Sequence, residues 1–422
     1  VCLLALFSTK GTKGKQNNIT SEKSNIESNG GGEKKRLLKP ALNKSAKPKK
    51  AKVLPPFVTI DIGSYEVKIM AANYKNGRLT INQALSTILR DGAVEDGRII
   101  DEDYVTNCIR GMIENNRMKV SGAVITMNSS EIIQREIVVP KVPNNELQGL
   151  VTFEVGKYLP INPASYSIQY NVVEEFENEN NITSLRINVS AMPRTIAKKY
   201  LDIVTKLKLK PIALDLHSNS VAKLISVEAM QGSPLGSGSN IVIDMGHTNF
   251  NIMMFDEGKF VFNRLIETGG SKLDDIIIRI ADVTPVEASK LKKYNLSKLS
   301  ALDIQKTPSA TSRHDDFYNT STDTFDKEAL ILQETMLIFN SWISDIDGIS
   351  KYYLSRNKEN RIDGIYIYSG SSYIKDIDKL IESRLNIKTR RLNYINCIQG
   401  ILDSSNEGIP KYMNNIGATI RL

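Results

Sequence analysis

Two aspartates, Asp61 and Asp244, stand in matched surroundings. Residues 58–72 read VTIDIGSYEVKIMAA, and residues 241–255 read IVIDMGHTNFNIMMF. Ile60 with Ile243, Asp61 with Asp244, Gly63 with Gly246, Ile69 with Ile252 and Met70 with Met253 share one offset. Each copy is an apolar β run, then Asp-x-Gly, then a second β run. A hairpin of that kind sets a carboxylate at a strand end beside a tight turn. Carboxylates suit Mg²⁺, a hard cation that takes oxygen ligands and keeps several of its waters. Backbone N–H groups of such turns suit phosphate. Gly63, Ser64 and Tyr65 offer them in the first copy, with the charge of Lys68 close by. Gly246, His247, Thr248 and Asn249 offer them in the second. A single Asp-x-Gly is equally an ordinary turn. The matched pair predicts two related half-domains facing one cleft, which would hold one nucleotide and one divalent cation.

Weaker signals lie elsewhere. Tyr366-Ile367-Tyr368 reads as a strand ending in Ser369-Gly370-Ser371-Ser372 and entering a helix. Helix N-termini favour anions, and glycine allows close approach. Gly269-Gly270 stands at another expected helix start. Glu287 and Lys290 fall one turn apart on a helix after Pro285, in reach of a ribose or an adenine edge, or as a solvated pair. His247 is either a phosphate contact or a space filler.

These residues need elements to hold them. Hairpin 57–74, strand 79–89, a helix over 101–117 and strands 122–127 and 131–139 make half of a mixed sheet. Pro140 and Pro143 mark a boundary, and 143–210 reads as an insert with two helices and two strands. The last of these elements is a basic amphipathic helix over 194–207. Residues 211–232 return to the first lobe, and 232–239 is a Gly/Ser-rich hinge candidate. The second lobe, 240–409, repeats the plan. It contains a polar loop over 296–325, a long helix over 326–355 and a helix over 373–385. Residues 410–422 return to the first lobe.

Composition narrows the classes. Of 422 residues, 41% are hydrophobic and 24% charged, as in ordinary globular chains. The net charge of +8 resides in residues 1–52, which carry 13 Lys and Arg against three Glu. The rest has 42 basic and 44 acidic residues, so the folded body gives no support to nucleic-acid binding. Residues 1–52 read as a disordered basic tail. The apolar opening VCLLALF lacks the basic start of a secretory signal, and no run is long enough to span a bilayer. Cys2, Cys108 and Cys397 are scattered without metal spacing, which fits a reducing compartment and no disulfide framework.

The order of these elements resembles the superfamily of actin, heat-shock chaperone and sugar-kinase ATPases. Asp61-Ile62-Gly63-Ser64 resembles its first phosphate motif, and Asp244-Met245-Gly246 with Thr248 its second. Ser369-Gly370-Ser371 resembles the adenosine motif, with Ser371 where a second glycine is usual, and Glu287-x-x-Lys290 the helix that touches adenosine. Within the superfamily the chain is similar to the PilM family, cytoplasmic actin-like proteins of type IV pilus assembly. The likeness runs from Val58 to Leu422. It includes Val139-Pro140-Lys141-Val142-Pro143, Glu146-Leu147, Phe153-Glu154-Val155-Gly156-Lys157-Tyr158-Leu159-Pro160, Glu267-Thr268-Gly269-Gly270 and Gly417-Ala418-Thr419-Ile420-Arg421.

The resemblance implies an α/β actin-like ATPase fold, with ribonuclease H-like duplicated lobes and an FtsA/PilM-type inserted subdomain. It implies ATP and Mg²⁺ between the lobes, with Asp61 and Asp244 as catalytic and metal-holding residues, the metal held through water. No general base stands out, so weak or absent turnover is expected. The implied partner is the cytoplasmic N-terminal segment of a PilN-type membrane protein, docked where the insert meets the first lobe. Other pilus assembly proteins and self-association are further expectations, with the chain peripheral to the membrane through its partners. An FtsA-like polymerising protein, a sugar kinase and a nucleotide-free scaffold are the competing readings. The FtsA-like case expects a terminal amphipathic helix, and the kinase an acceptor-binding loop set and a base.

Overall fold

Apolar residues alternate along both hairpins, and the alternation decides which way each aspartate faces. The computed structural model describes residues 54–158, 162–177, 181–295, 322–399 and 408–421; the tail 1–52 and the polar stretch 296–321 lie outside the described residues. Strand β1 (Phe57–Ile62) pairs antiparallel with β2 (Glu66–Lys75), and β2 with β3 (Arg78–Ile88). A short ladder of β4 (Val94–Glu95) and β5 (Arg98–Ile99) leads into helix α1 (Glu102–Asn115). Strands β6 (Gly122–Met127) and β10 (Lys210–Leu216) extend the sheet in parallel beyond β1. The second sheet has an antiparallel meander of β11 (Ser239–Met245), β12 (Phe250–Asp256) and β13 (Lys259–Ile266). Strands β14 (Gly364–Tyr368) and β15 (Thr389–Arg391) lie parallel to β11. The orders β10-β6-β1-β2-β3 and β15-β14-β11-β12-β13 match strand for strand, so the duplication extends from the motifs to the whole sheets.

Helices fill the spaces on and between the sheets. Val58, Ile60 and Ile62 point to the outer face of the first sheet, under α1 and α3 (Arg194–Lys206). Ile241, Ile243 and Met245 point to the outer face of the second. There they meet α5 (Gly270–Ala281), the long α7 (Thr322–Arg356) and α8 (Ile377–Leu385). On α7 the residues Phe339, Trp342, Ile346, Ile349 and Tyr353 recur every three or four positions and are buried, as an amphipathic helix requires. The inner faces share one core. Met70 and Leu79 of the first sheet and Val242 and Met253 of the second close on α4 (His217–Met230) and α9 (Gly408–Thr419). Side chains alternate with period two along a strand. Asp61 and Asp244 therefore both face this inner helical layer.

Several boundaries differ from the sequence reading. Strand β7 (Ile133–Pro140), expected in the first sheet, joins β8 (Tyr166–Glu177) and β9 (Thr183–Pro193) in a separate sheet ordered β7-β9-β8. Helix α2 (Asn144–Tyr158) covers that sheet through Leu147, Val151 and Val155. The basic helix α3 was expected in the insert. Its apolar stripe of Ile196, Tyr200, Ile203 and Val204 lies on the first sheet instead. The inserted subdomain is thus β7 to β9, earlier and shorter than 143–210. Strand β16 (Ile398–Gln399), within the span assigned to the second lobe, pairs with β3 of the first. Helix α9 packs chiefly on β1, β2 and β6 of the first sheet and also meets β14 of the second. Helix α7 begins at Thr322, inside the stretch expected to be loop to 325. The 232–239 segment is a packed turn, with Gly236 against the backbone of Ala229.

Candidate functional site

The two Asp-x-Gly turns face each other across the inner layer and touch. Ser64 Oγ lies 3.1 Å from Thr248 Oγ1, and the rings of Tyr65 and His247 sit 4.9 Å apart. Gly63 N–H donates to the Glu66 carbonyl and Gly246 N–H to that of Asn249, each at 3.1 Å, closing the turns. The amides of Ser64, Tyr65, His247 and Thr248 have no protein acceptor among the described residues, a disposition suited to an anion. A Cβ at Gly246 would press on the Asn249 carbonyl at 2.7 Å, so the second turn needs glycine. Beneath the turns is a cavity of about 240 Å³.

At its floor lies a closed charge cluster. Lys68 is the register partner of Asp61 across the first hairpin, and its Nζ reaches Asp61 Oδ2 at 3.3 Å. His217, the first residue of α4, lies between the carboxylates. Its Nε2 is 2.9 Å from Asp61 Oδ1 and its Nδ1 3.1 Å from Asp244 Oδ2. Asn414 Nδ2, from α9, reaches Asp244 Oδ2 at 3.1 Å and Asp61 Oδ2 at 3.4 Å. Burial pushes both carboxyls up. Lys68 and His217 outweigh it and hold Asp61 well below the usual carboxylate range, and His217 lowers Asp244 likewise. Burial would lower His217, but the two carboxylates raise it to about 9. Lys68 is held above its usual value by Asp61, Glu66 and Asp244, against the cost of burial. Each ring nitrogen of His217 faces a carboxylate oxygen, so both must donate and the ring is an imidazolium.

This arrangement bears on the expected metal site. Mg²⁺ requires near-octahedral oxygen ligation and usually keeps waters. Both oxygens of Asp61 and Oδ2 of Asp244 already accept from Lys68, His217 and Asn414. A divalent ion here would meet two built-in cations. Among the described residues there is no grouping of three or more His, Cys, Asp or Glu able to hold a metal. The residues present do not fit direct ligation of Mg²⁺ by Asp61.

The other candidates divide. Ser369, Gly370 and Ser371 line the cavity. They form a single 3-10 turn (Gly370–Tyr373) rather than the start of the helix, which begins at Ile377. Ser371 Oγ donates to the Gly246 carbonyl at 3.1 Å, so its side chain braces the second turn. Gly269 and Gly270 lie behind that turn. Gly270 N–H donates to the Gly246 carbonyl at 3.1 Å, and a Cβ on Gly269 would strike the backbone of His247. Glu287 and Lys290 are not in the cavity lining. Glu287 is a capping-box residue, its Oε2 accepting from Thr284 N and Oγ1 at 2.9 and 2.8 Å. The same helix, α6 (Pro285–Asn295), offers Ser289, Lys292 and Lys293 instead. Burial and Lys292 lower His247 to about 4, leaving it neutral. Lys292 is held at 2.5 Å by Asp274 of α5.

Motif reading missed His217 and Asn414. A usable signal existed for the histidine. Strand β10 ends at Leu216, and its register sets Asp215 opposite Thr126, which is itself opposite Asp61. A residue just after β10 must therefore emerge beside Asp61.

A second groove, of about 550 Å³, lies between the inserted sheet, α4, β13 and the end of α7, with Gln134, Glu136, Lys223, Arg264 and Arg356 in its lining.

The family model described as type IV pilus assembly protein PilM matches residues 59–305. Among solved structures, the chain is similar to one in the PilM–PilN type IV pilus biogenesis complex. Identity is 16%, coverage 86% of this chain and 97% of that one, and the TM-score 0.67. The ethanolamine utilization protein EutJ from Carboxydothermus hydrogenoformans matches at 12% identity, over 87% and 90% of the two chains, with a TM-score of 0.48. ADP-bound MreB5 of Spiroplasma citri matches at 12% identity, over 86% and 94%, with a TM-score of 0.41.

Proposed function

The chain belongs to the PilM family of type IV pilus assembly proteins and has its actin-like fold, and from that premise we propose that it is a nucleotide-responsive adaptor. An adenine nucleotide would lie in the cleft, with its phosphates between the two Asp-x-Gly turns. The N-terminal segment of a PilN-type protein would dock where the insert meets the first lobe, beside the groove that runs from the inserted sheet past α4 to β13 and α7. No described helix is long and apolar enough to cross a membrane; contact with a membrane through that partner is part of the proposal.

One observation carries the reading. Two matched turns, each with amides lacking protein acceptors, face each other over one charge cluster. Lys68, paired with Asp61, Lys292, paired with Asp274, and Lys293 line the cavity and can turn toward a phosphate. Phosphate recognition asks for that combination of oriented amides and lysine. No side chain in the lining stands out as a base for water attack, so the nucleotide would act by biasing lobe closure rather than by rapid turnover.

The test is a thermal shift of the full chain with ATP in Mg²⁺ buffer, with a PilN-type N-terminal peptide, and with both. A ligand at about 100 times its Kd adds about 2.7 kcal/mol, which is a measurable rise in Tm. Stabilisation by each ligand is expected. Stabilisation by peptide alone would leave a nucleotide-free scaffold. Stabilisation by ATP alone would remove the adaptor role.

A further inference from the structure

Paired carboxylates on the floor of a phosphate-binding cleft need a counter-charge, because phosphate is itself anionic. A divalent ion is the usual source. Here side chains already supply it. His217 lies 2.9 Å from Asp61 and 3.1 Å from Asp244, one ring nitrogen to each. Lys68 closes on Asp61 at 3.3 Å. The cluster therefore holds two negative and two positive charges before any ligand arrives. A divalent ion could bind Asp61 directly only by displacing an imidazolium with two charge-assisted hydrogen bonds in a buried site, where such bonds are strong.

The cavity walls point the same way. Besides Lys68 and His217 the lining carries Lys292, Lys293 and Lys411; Glu66 pairs with Lys411 at 2.8 Å and Asp274 with Lys292 at 2.5 Å, so with Asp61 and Asp244 the five cations meet four carboxylates. A lining with a surplus of positive charge suits the free nucleotide triphosphate, which is two charges more negative than its Mg²⁺ complex. We propose that this cleft takes its nucleotide without a divalent cation, the His217 imidazolium and Lys68 standing where a metal would otherwise neutralise the carboxylates. The proposal rests on reading the cleft as a nucleotide site.

Isothermal titration of the full chain with ATP, once in excess Mg²⁺ and once in EDTA, tests it without any variant. The expected Kd in EDTA is equal to or tighter than that in Mg²⁺, to within about threefold. Binding about tenfold or more weaker in EDTA would overturn the inference while leaving the nucleotide site intact. No binding in either buffer would overturn the nucleotide reading, and the inference with it. His217→Gln, checked for an unchanged circular dichroism spectrum, should lose binding in EDTA and regain it with Mg²⁺. Undiminished binding by that variant in EDTA would show that the ring is not the counter-ion.

Discussion

At the scale of single residues, His217 couples the protonation of the cleft to the stability of the fold. Its ordinary value of 6.5 is raised to about 9 by the two carboxylates it bridges. Between those values the folded chain holds a proton that the unfolded chain has released, so stability must fall as pH rises through the window. The contribution is complete below about pH 6.5 and gone above about pH 9, and amounts to up to about 3 kcal/mol. In urea denaturation from pH 6 to 9.5 the stability difference between wild type and His217→Gln should shrink as pH rises, while His247, lowered to about 4, and Cys397, raised to about 12, act alike in both proteins and cancel in that difference. Equal slopes would mean that the ring is neutral in the folded state. Lys68 does not confuse the result, because its pKa is raised and it stays protonated throughout. Asp61 is held low and stays ionised. The residue that matters most here is the one motif reading passed over, because a lone histidine has no spacing pattern. Asp61, Asp244 and Lys68 were legible because a duplicated hairpin fixes their positions locally.

At the scale of elements, α9 joins the two lobes and depends on one glycine. A Cβ on Gly417 would run into the backbone carbonyl of Ser220 on α4 and come within 3.1 Å of its Cα. The two helices thus meet backbone to backbone, where no flexible side chain can give way. One turn earlier, Asn414 spans Asp61 and Asp244, and Asn415 Nδ2 donates to the Thr59 carbonyl at 3.1 Å. Gly417→Val should therefore cost about 1–3 kcal/mol by overpacking and weaken nucleotide binding by shifting Asn414. Gly111 sits on α1 with nothing nearer to a Cβ than Asn115 Nδ2 at 3.9 Å. Gly111→Ala is the control and should be neutral or stabilising by up to about 1 kcal/mol. Denaturation midpoints for the two variants give the comparison, and a Gly417→Val midpoint equal to wild type would refute the tight crossing. Hairpins and strands of both lobes could be read from period-two alternation because that signal is local. The placement of β7 and α3 could not. Each is well formed by its own sequence, but which sheet it joins is decided by partners far along the chain, β9 for one and β5 and α1 for the other. Glu287 and Lys290 lie outside the cavity lining for a related reason. The capping box at Thr284 turns Glu287 back onto its own helix, and the cavity meets Ser289 and Lys292 on another face.

At the scale of the molecule, the cleft and the groove are linked by a short polar chain through Gln134 of the insert. Gln134 lines the groove, and its Nε2 donates to Ser218 Oγ at 3.1 Å, next to His217. Its Oε1 accepts from Asn263 Nδ2 on β13 at 2.9 Å. Asn263 also donates to Asn251 Oδ1 at 2.8 Å, and Asn251 is the register partner of Asp244. One amide thus touches both lobes and reaches the neighbours of both members of the charge cluster. Glu136, two residues on, ties the insert to α7 through Arg356 at 2.9 Å. Allosteric coupling needs an element whose state both ligands bias. Gln134 meets that requirement by position, and only a coupling measurement can establish it. The measurement is the Kd of a PilN-type peptide with and without saturating ATP, in the wild type and in Gln134→Leu. Removing the amide while keeping its bulk should leave each ligand bound and bring the ratio of the two Kd values toward one, a loss of about threefold or more in coupling. The same ratio in both proteins would mean that lobe closure is transmitted through the packed helices α4 and α9 instead, with the Gln134 chain only fixing the insert in place.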